Sequence, residues 1–514
     1  KKVFGEHSID VLLGHESSDF KSKMLAGQKS NVVIPNLPII SNATKYGYLD
    51  GYNDLYKVEG YFSRINYNYK NKYFVNGSFR RDGSSVFAPN NRWGNFYGFG
   101  GAWSVMKESF FPKTKWITDL RVKGSYGEQG NDNILYPVTS QISHRNYFGS
   151  LRNYYAYETQ YEIVPDSDGN ASVLNVFEAD NSVKWEKSKN LNVGFDITLF
   201  DRISLEAEYF ERNVSDLIYN FPIALSTGTS FVSKNIGDMG NKGIEVNLGI
   251  DIVKNKNIDF NIWGNATSYK NKITSLPKAF TDGIYRFEVG APAYSYFLRQ
   301  FAGVDKTNGN ALWYKDEKDS AGNLTGSKVT TSVYGDATTY LSKKNANPDV
   351  YGGFGTMFRF KDITFQASFA YQFGGYMYDG VYQSAMYSGS DNIGQNYHKD
   401  VTKAWTVDNP NSDIPRIDHV STFQMSTSDY FLIKSDYISL QDISIGYDYD
   451  ELWLKNLGIQ STKFTLMGSN LALWSKRKGM DPRLNNLGSR TNNGQSLNVY
   501  GVMKSISFGL TVNF

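Results

Sequence analysis

The sequence predicts an all-β chain that forms a transmembrane antiparallel β-barrel with long extracellular loops. Many of its segments alternate strictly between apolar and polar residues, which places one face of a strand in lipid and the other in water. Aromatic residues make up 15% of the 514 residues, although the mean hydropathy is only -0.45. A membrane barrel accounts for both values, because only every second residue of its strands faces hydrocarbon. In addition, long and short connections alternate along the chain.

The last segment, residues 504–514, shows the alternation most clearly. Its apolar residues are Ile506, Phe508, Leu510, Val512 and Phe514. The residues between them are small or polar, so a period of two places all the apolar side chains on one face of a strand. In a soluble protein that face would pack against a core, whereas in an outer-membrane barrel it contacts lipid. The remaining segments decide between these alternatives.

About fourteen such segments occur along the chain, most of them close to the length that crosses a membrane. They are residues 9–13, 58–69, 73–82, 96–105, 120–127, 191–199, 203–213, 244–252, 258–265, 350–360, 363–373, 437–447, 462–472 and 504–514. The connections at 70–72 and 201–202 are short enough to predict tight hairpins. Within 437–447 the alternation shifts near Asp442, which predicts a β-bulge.

The connections between these segments fall into two classes that alternate. The long ones are residues 17–57, 83–95, 128–189, 214–242, 269–349, 374–436 and 473–503. The short ones are residues 70–72, 107–118, 201–202, 254–256, 361–362 and 448–461. Because successive connections of a meander emerge at opposite ends, all long segments lie at one end, as in barrels with short periplasmic turns and long extracellular loops. Several polar alternates would then line an aqueous interior: Glu206, Glu208, Glu245, Asp251 and Asp259.

The composition excludes several classes of function. The chain has no run of about 18 apolar residues, so no transmembrane helix is expected. Its 54 basic and 51 acidic side chains nearly balance, which gives no electrostatic footprint for nucleic acid. There is no cysteine, hence no disulfide or thiolate metal site. No metal-ligand spacing and no nucleophile–base pair is found, so we expect no metal, no cofactor and no enzyme activity.

Several stretches resemble one family, the SusC/RagA-type TonB-dependent outer-membrane transporters. They run in order over nearly the whole chain: residues 79–85 with 91–94, 125–127 with 130–131, 184–187 before 194–196, 235–245, 347–349 with 351–354, 436–437, Asn470 and 481–482. The most specific is Asn-Ile-Gly-Asp-Met-Gly-Asn-Lys-Gly-Ile-Glu at 235–245. The resemblance implies a barrel of about 22 strands whose lumen is filled by an N-terminal plug domain.

With about fourteen strands, residues 1–514 are expected to be the C-terminal part of such a barrel. The plug domain, the first strands and the segment that contacts TonB are then absent from this chain. A complete barrel of about fourteen strands is the alternative.

The resemblance also implies a location and a function. The protein would lie in the outer membrane of a Gram-negative bacterium, in contact with outer-membrane lipid, and the resemblance also implies pairs of barrels. It would actively import large nutrients, oligosaccharides or peptides, driven by TonB through the plug and assisted by a SusD-like surface lipoprotein. Two alternatives stay open: a passive porin or channel of about fourteen strands, and a barrel associated with adhesion or secretion.

Aromatic residues in the long loops are the candidate contacts for substrate, because a tyrosine ring offers contact area at low entropic cost. They are Tyr154, Tyr155, Tyr157, Tyr294, Tyr296, Phe297, Tyr376, Tyr378 and Tyr382. The alternative interpretation is that they belong to the outer aromatic girdle or pack loop against loop. Residues 166–170, Asp-Ser-Asp-Gly-Asn, have part of the oxygen spacing of a calcium loop but lack its bidentate Glu, so a turn is the preferred interpretation.

Overall fold

A single antiparallel sheet of 15 strands dominates the structure and follows the chain as a meander. The computed structural model describes residues 1–112, 114–136, 152–229, 231–386, 394, 396–418, 424–449, 458–476, 480–486, 494–496 and 501–514. We call the large sheet the wall. Each wall strand pairs with the wall strand that follows it in sequence, and the loop segments between them form small sheets of their own.

Strands are numbered in chain order. The wall comprises β1 (Lys2–Phe4), β2 (His7–Val32), β3 (Ala43–Tyr69), β4 (Tyr73–Ser84), β5 (Trp93–Ser104), β6 (Ile117–Asn131), β9 (Glu186–Leu199), β10 (Ile203–Ser215), β13 (Asp238–Lys254), β14 (Ile258–Ser275), β22 (Val350–Phe360), β23 (Ile363–Phe373), β26 (Tyr437–Tyr449), β27 (Ser461–Ser475) and β29 (Ser505–Asn513). The loop segments contain β7 (Gln160–Pro165), β8 (Ala171–Phe177), β11 (Ile218–Pro222), β12 (Phe231–Asn235), β15 (Phe280–Asp282), β16 (Tyr285–Phe287), β17 (Ser295–Arg299), β18 (Phe301–Val304), β19 (Ala311–Lys318), β20 (Leu324–Thr331), β21 (Thr339–Asn345), β24 (Tyr376–Asp379), β25 (Leu432–Lys434) and β28 (Gln495–Ser496).

Within the described residues, helical structure consists of short pieces in the connections. The α-helix α1 spans Gly380–Met386. Short 3-10 helices lie at Ile40–Asn42, Pro89–Asn91, Val105–Lys107, Leu225–Thr227, Tyr334–Asp336, Lys399–Lys403, Asp429–Phe431 and Pro482–Asn486. None of the helices in the described part of the chain has the length and apolar character needed to cross a membrane.

One face of the wall is apolar and uncovered. Val193 of β9 pairs with Tyr209 of β10, which pairs with Ile244 of β13, so the apolar side chains align in rows across the strands. In β29, Ile506 is 75% and Phe508 70% exposed, so no sheet or helix of the described part of the chain covers this row. Leaving such a side chain in water forgoes about 2 kcal/mol of burial, which contact with hydrocarbon would restore.

The opposite face of the wall carries the polar alternates. Glu206 pairs with Asp196 on one side and with Asn247 on the other. Lys123 lies 3.0 Å from Asp196 and also forms an ion pair with Glu206, while Asn247 donates a hydrogen bond to Glu206 at 3.1 Å. The other residues predicted to face the interior lie on this face too: Glu208, Glu245, Asp251 and Asp259.

Short connections join the strands at one end of the wall. Phe200 and Asp201, between β9 and β10, have φ of 55° and 56°, and the N–H of Arg202 donates to the carbonyl oxygen of Leu199 at 3.0 Å, which closes a tight turn. Lys70 and Asn71, between β3 and β4, have φ of 57° and 52°. From β6 onwards the long loop segments leave the other end, as predicted, whereas the connection between β4 and β5 is shorter than that between β5 and β6.

Residues 17–57 differ from the prediction of a long loop. β2 and β3 pair from His7↔Tyr69 to Val32↔Ala43, although β4 already ends at Ser84, which pairs with Val58. The hairpin therefore continues beyond the wall as a two-stranded ribbon. Both faces of this ribbon are largely exposed, and its strands are held by cross-strand hydrogen bonds. Because neither face requires apolar residues, the sequence of the ribbon shows no regular alternation of apolar and polar residues.

Two further details concern strand register and number. The bulge predicted near Asp442 is confirmed, because the register shifts between Leu440 and Asp442 against β27 and at the same level against β23. The wall has one strand more than the fourteen segments counted in the sequence, because Lys2–Phe4 pairs antiparallel with β2 across a turn at Gly5 and Glu6. β1 and β29 are the two ends of the sheet, and no pairing joins them among the residues that the structure describes.

Candidate functional site in the rim and the loop lobes

The base of the loops is tied together by the side chain of Asn235, at the start of the most specific family motif. Its Oδ1 accepts the backbone N–H of Lys184 at 2.9 Å. Its Nδ2 donates to the carbonyl oxygens of Lys184 at 3.0 Å and Asp216 at 2.6 Å. One amide thus joins the segment before β9, the residue that follows β10 and the end of β12. We call this arrangement the rim clamp.

A second tie involves the motif residues near the C-terminus. Arg483 donates from Nε and Nη2 to the two carboxylate oxygens of Asp481 at 2.8 and 2.6 Å. Its Nη1 donates to Asn470 Oδ1 at 3.1 Å. Asn470 has φ of 54° and stands opposite the bulge in β26, so the hydrogen bond from Arg483 fixes the last long loop to an irregularity in the wall.

The first loop lobe is built from residues 84–92, 128–136, 152–189 and 213–238. Its core consists of Val86, Phe87, Phe96, Ile134, Tyr136, Ala156, Phe177, Val183, Trp185 and Ile218. Of the predicted contact residues, Tyr154 is buried beside this core with its ring 5.5 Å from that of Tyr56. Tyr155 accepts the N–H of Leu55 through its hydroxyl at 2.8 Å. Tyr157 is half-buried, and burial raises the pKa of its phenol.

The second loop lobe combines residues from three long loops: 276–349, 374–436 and 494–496. Its core consists of Tyr285, Tyr296, Leu298, Ala346, Tyr378, Tyr382, Met386, Met425, Phe431 and Leu432. Tyr296 is completely buried, and its hydroxyl lies 2.8 Å from the carbonyl oxygen of Tyr376 and 2.7 Å from that of Gly494. Since Tyr296, Tyr376 and Gly494 come from different loops, one hydroxyl joins all three.

The predicted contact residues of the second lobe divide by burial. Tyr296, Tyr378 and Tyr382 are buried in its core. Tyr294, Phe297 and Tyr376 are half-buried at its surface: Lys344 lies over the Tyr376 ring at 5.1 Å, and Arg286 over the Phe297 ring at 5.1 Å. Tyr294 has φ of 60°, a left-handed conformation that is unusual for a bulky residue and marks a constrained position.

The two lobes touch through residues that the sequence reasoning did not single out. The Tyr219 hydroxyl donates to Asp282 at 2.7 Å, and the Tyr219 ring lies 5.1 Å from that of Phe280. Phe280 in turn stacks on Phe287 at 5.0 Å. The available signal is the pair of aromatic residues at 219 and 221 inside the predicted long loop 214–242. The loops therefore form one continuous layer above the wall.

The segment with partial calcium-loop spacing is a hairpin turn, as preferred from the sequence. The Asp166 carboxylate accepts the backbone N–H groups of Asp168 at 2.9 Å and Asn170 at 2.8 Å. These hydrogen bonds stabilise the charged form and lower the pKa of Asp166. The carboxylate is thus engaged by its own turn.

Comparison with known proteins places this geometry in a family. The model of the family described as "TonB dependent receptor-like, beta-barrel" matches residues 7–374. The TonB-dependent receptor P3 of Formosa agariphila is 27% identical over 557 residues, covering 100% of this chain and 51% of the relative. The TonB-dependent receptor SusC of Bacteroides thetaiotaomicron is 23% identical, covering 100% of this chain and 49% of SusC. The chain thus spans about half the length of these relatives.

Solved structures agree on the fold. The RagAB peptide transporter superimposes with a TM-score of 0.82 at 25% sequence identity, over 99% of this chain and 54% of the matched chain. The 'closed-closed' state of the RagAB peptide importer gives the same TM-score at 24% identity. The proteins of this family are receptors and transporters of the outer membrane and not enzymes. Because the family model matches well over half of the sequence, this chain belongs to the TonB-dependent receptor-like β-barrels.

Proposed function

We propose that the complete protein actively imports large nutrients, oligosaccharides or peptides, across the outer membrane as a SusC-like, TonB-dependent transporter. The observation that carries this proposal is the two-faced wall, with exposed apolar rows such as that of Ile506 and Phe508 on one side and ion pairs such as Lys123–Glu206 on the other. A barrel wide enough to need a plug encloses a polar lumen. Because a plug closes that lumen, import requires energy to open a path for the substrate.

Substrate recognition belongs to the loop layer. We propose that the half-buried rings contact substrate or the covering partner: Tyr155, Tyr157, Tyr294, Phe297 and Tyr376. The buried rings hold those rings in place: Tyr154, Tyr296, Tyr378 and Tyr382. The location of all these rings supports the proposal, since each lies in a loop lobe and none lies in an aromatic girdle of the wall.

The partners follow from the same assignment. A SusD-like surface lipoprotein would cover the second lobe, whose three loops form one surface. TonB would act through a plug in the half of the protein that this chain does not span. We also propose that two such barrels associate in the outer membrane.

The test is a conductance and uptake experiment on the full-length protein. In a planar bilayer a plugged transporter stays nearly closed, whereas a passive porin passes steady current. In cells, uptake of the nutrient should stop when TonB is deleted, and the lipoprotein should co-purify with the barrel. Steady current together with TonB-independent uptake would replace the proposal with the passive channel.

A further inference from the structure

The wall carries a patch of lysines on its lipid-facing side, at the end from which the long loops leave. Lys242 of β13 and Lys270 and Lys272 of β14 share a face with the apolar row of Ile244 and lie just beyond that row towards the loops. We propose that this lysine patch binds the phosphate groups of a glycolipid in the outer leaflet of the outer membrane. Such binding is separate from nutrient import and requires neither TonB nor a particular cargo.

The register of the wall sets the level of the patch relative to the membrane. On the lipid-facing side of β14, every second residue from Ile258 to Ala266 lacks a polar side chain, which amounts to about 27 Å of strand. At a tilt of about 40°, this length accounts for most of an apolar band about 25 Å tall. Tyr209 lies in the last apolar row, opposite Ile244, as expected for an aromatic girdle at the interface. The next row contains Lys270, which therefore stands at the level of the lipid headgroups.

The positive charge of the patch is only partly compensated within the protein. Glu211 of β10 lies opposite Lys242 and forms an ion pair with it at 3.0 Å. On its other side Lys242 lies directly opposite Lys270, and like charges in directly opposed positions destabilise a sheet. Lys270 and Lys272 are exposed, and neither forms an ion pair with a carboxylate in the described part of the chain. An anion held between these lysines would remove the repulsion.

A phosphate group at the membrane surface matches this arrangement. Lys270 and Lys272 are two residues apart on one strand, so their Cα atoms are separated by about 7 Å. Their flexible stems allow both ammonium groups to converge on one phosphate, while the methylene groups stay against the apolar face below. The outer leaflet of a Gram-negative outer membrane consists mainly of glycolipid whose sugars carry phosphate. The ligand that fits the patch is therefore present at the same level of the membrane.

The experiment uses double variants of the full-length transporter that remove the same charge from opposite ends of one hairpin. Lys270→Gln/Lys272→Gln removes the uncompensated charge of the patch. Lys254→Gln/Lys256→Gln is the matched control, because both lysines are exposed where the short connection joins β13 to β14. Lys270→Arg/Lys272→Arg retains the charge and should retain binding.

Binding is measured by native mass spectrometry of the proteins in detergent, titrated with diphosphoryl lipid A, with dephosphorylated lipid A or with phosphatidylglycerol. We expect diphosphoryl lipid A to bind equally to the wild type, the control and the arginine variant. It should bind about 30-fold more weakly to the glutamine variant, since each lysine near an anionic lipid surface contributes about a fivefold gain. Dephosphorylated lipid A should bind all four proteins weakly and to the same extent.

Three results would overturn the proposal. Equal affinity of the wild type and the glutamine variant for diphosphoryl lipid A would show that the patch does not contact phosphate. Equal affinity of the wild type for the phosphorylated and dephosphorylated forms would assign binding to the sugars and acyl chains. If phosphatidylglycerol bound as tightly as diphosphoryl lipid A and lost the same affinity in the glutamine variant, the patch would be a general anionic-lipid surface and not a glycolipid site.

A urea titration in liposomes of phosphatidylcholine alone separates lipid binding from a structural role of the lysines. Without anionic lipid, the glutamine variant should unfold at the same urea concentration as the wild type or at a higher one, because Lys242 no longer faces a second positive charge. A lower midpoint would show that Lys270 and Lys272 stabilise the wall itself and would refute the proposal. Neither measurement involves uptake, so the outcome is independent of the import function.

Discussion

Replacing Asn235 by alanine is expected to open the rim clamp. The substitution removes three hydrogen bonds, of 2.9, 3.0 and 2.6 Å, to the backbone of Lys184 and Asp216. At about 1 kcal/mol net for each bond, the local free energy of opening falls by about 3 kcal/mol. Since about 1.4 kcal/mol corresponds to a tenfold change, hydrogen exchange of the Lys184 amide should accelerate about 100-fold.

The assay is hydrogen–deuterium exchange of the full-length protein in detergent, read on the peptide that contains Lys184. Asn235→Asp is the matched variant, because a carboxylate still accepts the Lys184 N–H but cannot donate to the carbonyl oxygens of Lys184 and Asp216. Exchange at Lys184 should therefore stay slower in Asn235→Asp than in Asn235→Ala. Equal exchange in the wild type and Asn235→Ala would refute the assignment of the clamp.

Three further predictions concern the wall and the second lobe. Val193→Arg places a charge on the apolar face and should lower the free energy of unfolding in liposomes by about 2–4 kcal/mol, whereas Asn192→Arg, on the polar face, should change the urea midpoint little; equal midpoints would contradict the membrane orientation. Tyr296→Phe removes the hydroxyl that joins three loops, so limited proteolysis within 374–436 should accelerate by about tenfold, corresponding to 1–2 kcal/mol, while Tyr376→Phe should leave it unchanged. Burial raises the pKa of Asp429 above its ordinary value of 3.8, so protonation favours the folded lobe: its thermal stability should increase as pH falls through the raised pKa towards 3.8, and Asp429→Asn should abolish that increase.

The wall could be predicted from the sequence because successive residues of its strands face the membrane and the lumen in turn, and each environment favours a different type of residue. Hydrocarbon on one face favours apolar rows such as that of Val193 and Ile244. The opposite face favours polar residues such as Glu206, so apolar and polar residues alternate along each strand. Even the bulge near Asp442 was detectable, since one additional residue reverses the phase of the pattern.

The loop layer could not be predicted in the same way. The ribbon of residues 17–57 faces water on both sides, so no solvent asymmetry marks its strands. The core of the second lobe depends on contacts between residues distant in sequence, such as Tyr296 with Gly494. The candidate aromatics share a residue type and a place in the long loops, and these two criteria do not distinguish Tyr296, inside the core, from Tyr294, at its surface.

The single hydroxyl shared by three loops has a consequence for engineering new cargo preferences. A single loop grafted from a related receptor would place either a different group or no group at this junction. The recipient's other two loops would then lose the contact that all three share through the Tyr296 hydroxyl. Exchange of residues 276–349, 374–436 and 473–503 as a set would preserve that junction.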